Sequence, residues 1–81
     1  MLIIEVSDST LRYDRDVKVP LYANHGIPEV WLVDVQQGQL EIYRDPAHGQ
    51  YRQRDCRRAG QITPILCPDA VIDLAELLPH P

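Results

Sequence analysis

Cysteine is scarce in this sequence, with only Cys56 and Cys67 among 81 residues. They are too far apart for a Cys-x-x-Cys pair and have no histidine set nearby, which argues against a disulfide framework or a Cys–His metal site. We interpret both as small buried or half-buried thiols in a reducing cytosol. Because so short a chain buries only a modest core and has no disulfide bond to reinforce it, its stability is expected to be marginal.

Long apolar runs are absent as well. The run that opens the sequence, Met1–Ile4, is interrupted at Glu5, too early for the apolar segment of a secretory signal. No other stretch approaches the length of a membrane span. We therefore expect a cytoplasmic protein.

Positive charge is in the minority, since the formal net charge is -4. This balance argues against a protein that binds polyanions over its whole surface. Several arginines nevertheless fall in one segment, which could contact a phosphate backbone or guard a solvated edge strand against aggregation. Within this segment, beside Arg44, the possible DNA contacts are Arg52, Arg54, Arg57 and Arg58.

The chain does contain alternating strand-like and helix-like segments, which predict a single α+β domain over residues 1–81. A helix is predicted at about 14–25, because Gly26 and Pro28 stop it, and a short C-terminal helix at about 73–78. The strands of a mixed or antiparallel sheet are predicted at about 2–6, 29–34, 40–44 and 50–55, the second and third forming a hairpin.

Two of these elements have unusual sequences. Leu2–Val6 is a nearly continuous apolar run with β-branched residues, which is typical of a central strand buried on both faces. Pro20 lies inside the predicted helix and has no amide to bond to residue 16. We therefore expect a kink or a frayed turn at that point.

The opening stretch also holds the set of side chains that could carry chemistry. Glu5 and Ser7 point to one face of the first strand, and Lys18 shares a helix face with Asp14 and Tyr22. A carboxylate and an ammonium beside a sheet suit phosphodiester cleavage. The carboxylate helps to hold Mg²⁺, and the lysine orients or deprotonates water or stabilises the developing phosphorane charge. On spacing alone, a purely structural Glu5–Lys18 ion pair, or a Glu5 bonded to amides of the following turn, remains an alternative.

Most of the chain takes part in a resemblance to a known family. The residues that carry it are Ile3–Arg15, Lys18, Pro20–Ala23, Gly26–Asp34, Leu40–Pro46 and Asp73–Leu78. Together they resemble the Uma2 family of restriction endonucleases, also called DUF820. The resemblance implies a PD-(D/E)xK nuclease-like fold and Mg²⁺-dependent hydrolysis of DNA.

The resemblance also implies roles for individual residues. Glu5 takes the place of the metal-binding glutamate, and Ser7 stands where the lysine of the motif would be. Lys18, in the helix that follows, is then the displaced lysine, with Asp14 and Tyr22 as supporting residues. Glu5 and Lys18 are thus the predicted catalytic pair.

The sequence departs from the family pattern at the first residue of the motif. Family members carry an aspartate on a strand before the glutamate, and no residue here matches it. We therefore expect a truncated restriction-endonuclease-like fold that corresponds to the C-terminal half of a member. Glu5 is its only metal ligand unless another chain or an unrelated carboxylate supplies the rest. Because one carboxylate binds Mg²⁺ weakly, the isolated chain is expected to be catalytically inert. The alternative is a non-catalytic module of the same fold that oligomerises or associates with DNA.

The same departure predicts an interface. Without a preceding strand, Leu2–Val6 would form an exposed apolar edge of the sheet. Pairing with a second copy about a two-fold axis is the simplest way to close such an edge. We expect a homodimer or a higher oligomer through this strand.

Overall fold

A computed structural model describes residues 1–78, and the last three residues of the predicted domain, 79–81, lie outside the described residues. The strands of the described part are β1 (Leu2–Ser7), β2 (Glu29–Asp34), β3 (Gln39–Ala47), β4 (Gln50–Arg57), β5 (Gln61–Ile62) and β6 (Ile72–Asp73). The helical segments are α1 (Leu11–Tyr13), a π-helical turn (Asp14–Lys18), α2 (Val19–Asn24) and α3 (Leu74–Leu77). The predicted α+β class is confirmed.

Four strands form the main sheet in the order β1-β2-β3-β4, and β5 pairs with β6 in a small separate ladder. β1 runs parallel to β2, with Glu5 beside Leu32 and Ser7 beside Asp34. β2, β3 and β4 are successive antiparallel neighbours. The mixed sheet and the hairpin of β2 with β3 agree with the prediction.

β1 is an outer strand of this sheet, so the prediction of a central strand buried on both faces is wrong, whereas the exposed apolar edge predicted from the missing motif strand is observed among residues 1–78. Ile4 and Val6 are 45% and 67% exposed. An apolar run favours burial, but the number of neighbours a strand has depends on pairing with segments distant in sequence. β1 has one such neighbour, β2, among the residues described.

Apolar side chains cover both faces of the sheet, because β2 is buried at every position. On one face Val30 and Leu32 pack with Val19 and Tyr43, under the helical segments. The opposite face carries the second cluster, which α3 and the small ladder cover. Its buried members are Trp31, Val33, Leu40, Ile42, Ile62, Leu74 and Leu78.

The helical region begins at Leu11, one turn earlier than the predicted start at residue 14, because the amide of Asp14 bonds to the carbonyl of Thr10 (2.9 Å). The predicted disturbance at Pro20 is a π-helical turn, in which the amide of Val19 bonds to the carbonyl of Asp14. Pro20 cannot donate to the Asp16 carbonyl, so the helix widens by one residue just before it. The helix ends near Asn24 and Gly26 follows with a φ of 70°.

The C-terminal helix is found at Leu74–Leu77, within its predicted bounds. The side chain of Asp73 accepts a hydrogen bond from the amide of Ala75 (3.0 Å), which caps the first turn. Across residues 1–78, none of the helices has both the length and the apolar character that crossing a membrane requires.

Candidate active site

Glu5 occupies the centre of a polar cluster on the helix-covered face of β1. The hydroxyl of Tyr22, in α2, donates a hydrogen bond to Oε1 of Glu5. Oε2 of the same carboxylate lies 3.6 Å from Nζ of Lys18, at the end of the π-helical turn. Both carboxylate oxygens therefore face the helical segments.

Lys18 joins this carboxylate to a second one. Its Nζ also lies 3.4 Å from Oδ1 of Asp14, one turn earlier in the helical region. The pKa of Lys18 is raised above its ordinary value of 10.5, first by the charge of Glu5 and then by that of Asp14, while partial burial opposes the shift. Lys18 therefore carries a proton throughout the neutral range.

Asp14 is buried, and both oxygens of its carboxylate have polar partners. Its Oδ2 accepts hydrogen bonds from the hydroxyl of Ser7, at the end of β1, and from Oγ1 of Thr10 (3.0 Å). The bond from Ser7 is the main cause that lowers the pKa of Asp14. Burial opposes the shift, and Thr10 and Lys18 add to it. Asp14 is thus ionised at neutral pH.

The backbone explains why these side chains meet. Alternation along β1 turns Glu5 and Ser7 to the same face, and Asp14 and Lys18 lie four residues apart on one face of the helical region. The predicted residues Glu5, Ser7, Asp14, Lys18 and Tyr22 are all brought together. The structure places the Glu5–Lys18 ion pair that spacing had left as an alternative, whereas the partners of Glu5 are side chains rather than turn amides. Thr10 belongs to the cluster too, and its position four residues before Asp14 is the sequence signal for it.

A second polar network anchors the π-helical turn to the sheet. Arg15 binds the carboxylate of Glu41 with two nitrogens, Nε at 3.0 Å from Oε1 and Nη2 on Oε2. Glu41 is fully buried on β3 and also accepts bonds from Tyr43 and Arg54. Because Arg15 lies between Asp14 and Lys18, this network holds both over Glu5. Sequence reasoning did not identify Arg15 or Glu41, since 26 residues separate them.

A metal ion would find few free ligands in this cluster. The described residues include no group of three or more His, Cys, Asp or Glu side chains arranged to hold a metal. The oxygens of Glu5 already face Tyr22 and Lys18, and Mg²⁺ requires six oxygen ligands, some of them water. Asp34 has a buried Oδ2 without a hydrogen-bond partner within residues 1–78, but its Oδ1 accepts the amide of Gln37 (3.1 Å) and so stabilises the turn that follows β2. Residues 1–78 of one copy therefore supply at most part of a metal site.

The arginine-rich segment forms β4, the other outer strand of the sheet. Three of its arginines are paired: Arg52 with Asp45 (2.7 Å), Arg54 with Glu41 (3.1 Å) and Arg57 with Asp55 (3.0 Å). Arg58 is exposed and has no ion pair within residues 1–78. The strip is thus largely neutralised, and three strand spacings, about 14 Å, separate it from Glu5.

The geometry around Lys18 can be checked directly, because this chain has no other lysine. Substituting Glu5 with glutamine removes the charge that contributes most to the raised pKa of Lys18. We expect a ¹³C NMR titration of the lysine Cε to give a lower pKa in Glu5→Gln than in the native chain. The exposed residue Glu76 supplies the control, and Glu76→Gln should leave the pKa of Lys18 unchanged. Equal pKa values in both variants would show that the ion pair does not form in solution.

A family model described as Uma2, "Putative restriction endonuclease", matches residues 1–75. A search of curated proteins finds no match. The matched range includes all the residues of the cluster around Glu5 and of the network around Glu41.

Proposed function

Because the chain belongs to the Uma2 family, we propose that it takes part in metal-dependent hydrolysis of phosphodiester bonds in DNA. Membership supports a nuclease-like function and a dependence on metal in general, and we propose Mg²⁺ as the ion because carboxylate oxygens suit it. The observation that carries the proposal is the convergence of Glu5, Lys18 and Tyr22 at one place on β1. Cys56 and Cys67 are free thiols but exposed, so the prediction that they are buried or half-buried is wrong. Free thiols are compatible with the action in the cytoplasm that we propose.

The protonation state of Lys18 defines its role. With a raised pKa, Lys18 is an ammonium group at neutral pH and cannot act as a general base. Its side chain is 37% exposed, so a phosphate group can reach it. We propose that Lys18 stabilises the negative charge that develops on the phosphoryl oxygens during attack, because a fixed positive charge lowers the barrier most at that place.

The neighbours of Lys18 keep the ammonium in place. Asp14 is itself held by Ser7 and Thr10, so Lys18 has a fixed partner on the helix side. We propose Glu5 as a ligand of the metal. A bound metal would supply Lewis-acid activation of water or phosphate. Tyr22 orients the Glu5 carboxylate through its hydroxyl. The other ligands of the ion would come from outside the described residues of one copy.

DNA is proposed to contact the exposed side of β4. Arg52, Arg54 and Arg57 already have acidic partners, so each would exchange an ion pair for a phosphate. Arg58 is exposed and has no such partner within residues 1–78, which makes it the strongest candidate. Contacts of this kind contribute affinity without sequence specificity.

A non-catalytic module is the second candidate. The incomplete set of metal ligands within residues 1–78 favours it. In this case the Glu5–Lys18 pair is structural, and the chain serves to oligomerise or to associate with DNA.

Cleavage of plasmid DNA in Mg²⁺ or Mn²⁺ distinguishes the two candidates. If the chain is a nuclease, Lys18→Ala is expected to slow cleavage by about 10²–10³-fold, as removal of one fixed charge from an active site does. Glu5→Gln should lower the rate to a similar extent, because it removes the proposed metal ligand.

Glu76→Gln is the matched control, since it makes the same chemical change at an exposed position on α3. It should retain the native rate. Cleavage that survives both Glu5→Gln and Lys18→Ala would rule out the proposed site. No metal-dependent cleavage by the native chain would favour the non-catalytic module.

A further inference from the structure

Within residues 1–78, the outer edge of β1 presents backbone groups that no other strand pairs with. The carbonyl of Ser7 accepts the amide of Val35 (2.9 Å), so the peptide groups of Ser7 face β2. Successive residues of a strand alternate in this direction, and the amides and carbonyls of Ile4 and Val6 therefore face away from the sheet. Such an edge can pair with a further strand.

The side chains on this edge differ between the two faces. Ile4 and Val6 point to the face opposite the helical segments and are exposed at 45% and 67%. Glu5 points to the other face, where its side chain retains 23% exposure. A strand that pairs here would have to cover apolar groups on one face and tolerate a carboxylate on the other.

We propose that the strand is β1 of a second copy, antiparallel, with Glu5 opposite the partner's Glu5, and that the two carboxylates share a divalent cation. This proposal rests on the proposed function in taking Glu5 as a metal ligand. A two-fold axis perpendicular to the sheet would relate the copies, so the helical segments of both would lie on the same face of a continuous sheet.

The register follows from the exposed side chains. With Glu5 at the axis, Ile4 lies opposite the partner's Val6, so the exposed apolar residues of each copy cover those of the other. Leu2 needs no partner, because it already packs against the core. The two Glu5 residues form a pair without mutual backbone hydrogen bonds, with Cβ atoms about 4.5–5.5 Å apart. A shared ion would take the place of the Tyr22 or the Lys18 contact at one oxygen of each carboxylate.

Charge indicates that the occupant between the carboxylates is a divalent cation. Each cluster holds the carboxylates of Glu5 and Asp14 and the single ammonium of Lys18, a net charge of one negative unit. Two clusters side by side repel each other, since like charges opposite one another destabilise a strand pair. A divalent cation neutralises the pair of clusters. The dimer and the metal site should therefore form together.

The test measures association and metal binding on the intact chain, without DNA. Sedimentation velocity over a series of micromolar protein concentrations should show weaker dimerisation in EDTA than in Mn²⁺. When free Mn²⁺ is about ten times its dissociation constant from the dimer, the dissociation constant of the dimer should fall about tenfold. Mn²⁺ electron paramagnetic resonance should give one bound ion per two chains.

Two variants make the result specific. Glu5→Gln removes the repelling charges and the ligands together, so it should dimerise equally in EDTA and in Mn²⁺ and should not bind Mn²⁺. Val6→Lys places a charge in the proposed interface and should remain monomeric. Val71, at 58% exposure, is the matched apolar position, and Val71→Lys should behave as the native chain does.

The outcomes separate this inference from the proposed function. A monomer in both EDTA and Mn²⁺, or a dimer that Val6→Lys does not disrupt, would overturn the inference and leave the β1 edge to a different strand. DNA cleavage by a monomeric chain would overturn it as well but support the nuclease function. A Mn²⁺-dependent dimer without cleavage would confirm the inference and contradict the nuclease function.

Discussion

Replacing Glu41 with leucine is expected to lower the free energy of unfolding by about 3 kcal/mol, the lower end of the cost of breaking a buried ion pair. Glu41 is fully buried and accepts hydrogen bonds from Arg15, Arg54 and Tyr43. Leucine fills a similar volume but leaves all three donors without their acceptor. The two arginines are partly exposed and can turn to water, whereas the buried hydroxyl of Tyr43 cannot do so as easily.

Urea unfolding followed by circular dichroism measures this loss. Glu76→Leu makes the same change at an exposed position and should alter stability little. A loss below about 1 kcal/mol for Glu41→Leu would place the network among ordinary surface ion pairs and contradict the role assigned to it. The variant should also weaken the Glu5–Lys18 contact, because Arg15 no longer anchors the π-helical turn between Asp14 and Lys18.

The same residue makes stability depend on pH. Burial acts to raise the pKa of Glu41, but the hydrogen bonds from Arg15, Tyr43 and Arg54 outweigh it, and the pKa is lowered from its ordinary 4.5. A pKa lowered in the folded state stabilises the protein above the unfolded value and loses this contribution as pH falls through the folded value. The native chain should therefore lose stability below pH 4.5, and Glu41→Leu should show a smaller acid dependence in the same unfolding measurement.

Replacing Trp31 with alanine is expected to cost about 3–5 kcal/mol, as truncation of a large buried aromatic residue does. Trp31 is fully buried on β2 in the cluster that α3 covers. Its indole Nε1 also donates to Oε2 of Glu29 (2.9 Å), a buried carboxylate that Arg44 pairs with as well. Since small domains are stable by about 5–15 kcal/mol in total, this variant should lie close to unfolding.

The control for this variant is Trp31→Phe, which retains most of the ring but removes the indole N–H. Trp31→Phe should lower the free energy of unfolding clearly less than Trp31→Ala does, because most of the buried ring remains. Glu29 also keeps its bonds to Arg44 and to the amide of Ile65. Unfolding should be followed by circular dichroism, because both variants lack Trp31, the only tryptophan of the chain, and therefore its fluorescence. Equal losses in both variants would show that the hydrogen bond, rather than the buried area, dominates.

Much of the local structure could be predicted from the sequence. Alternating and continuous apolar segments located the four main strands, and Gly26 with Pro28 located the end of the helical region. The irregularity at Pro20 followed from its missing amide, although its form as a π-helical turn did not. Spacing of i and i+4 in the helix, with alternation in the strand, was enough to bring Lys18, Asp14 and Glu5 together, because all of them lie within one short stretch of chain.

Contacts between distant segments needed the tertiary structure. The pairing of Arg15 with Glu41 crosses 26 residues, so no local pattern indicates that the helical turn is anchored there. The arginines of β4 appeared as a positive strip in the sequence, whereas strand pairing and loop geometry place acidic partners beside three of them. Effective charge depends on neighbours in space, which composition cannot reveal.

The sequence by itself determined the class of the domain, its family resemblance and five of the six residues of the cluster around Glu5, because local periodicity and a contiguous motif carry that information. The sequence supported two positions for β1, a central strand from its apolar pattern and an edge strand from the missing motif strand. Only the tertiary structure decided for the edge, with Ile4 and Val6 exposed and Glu5 beneath the helical segments. Hydrophobicity specifies that a strand favours burial, but the order of strands in a sheet depends on pairing across the whole chain.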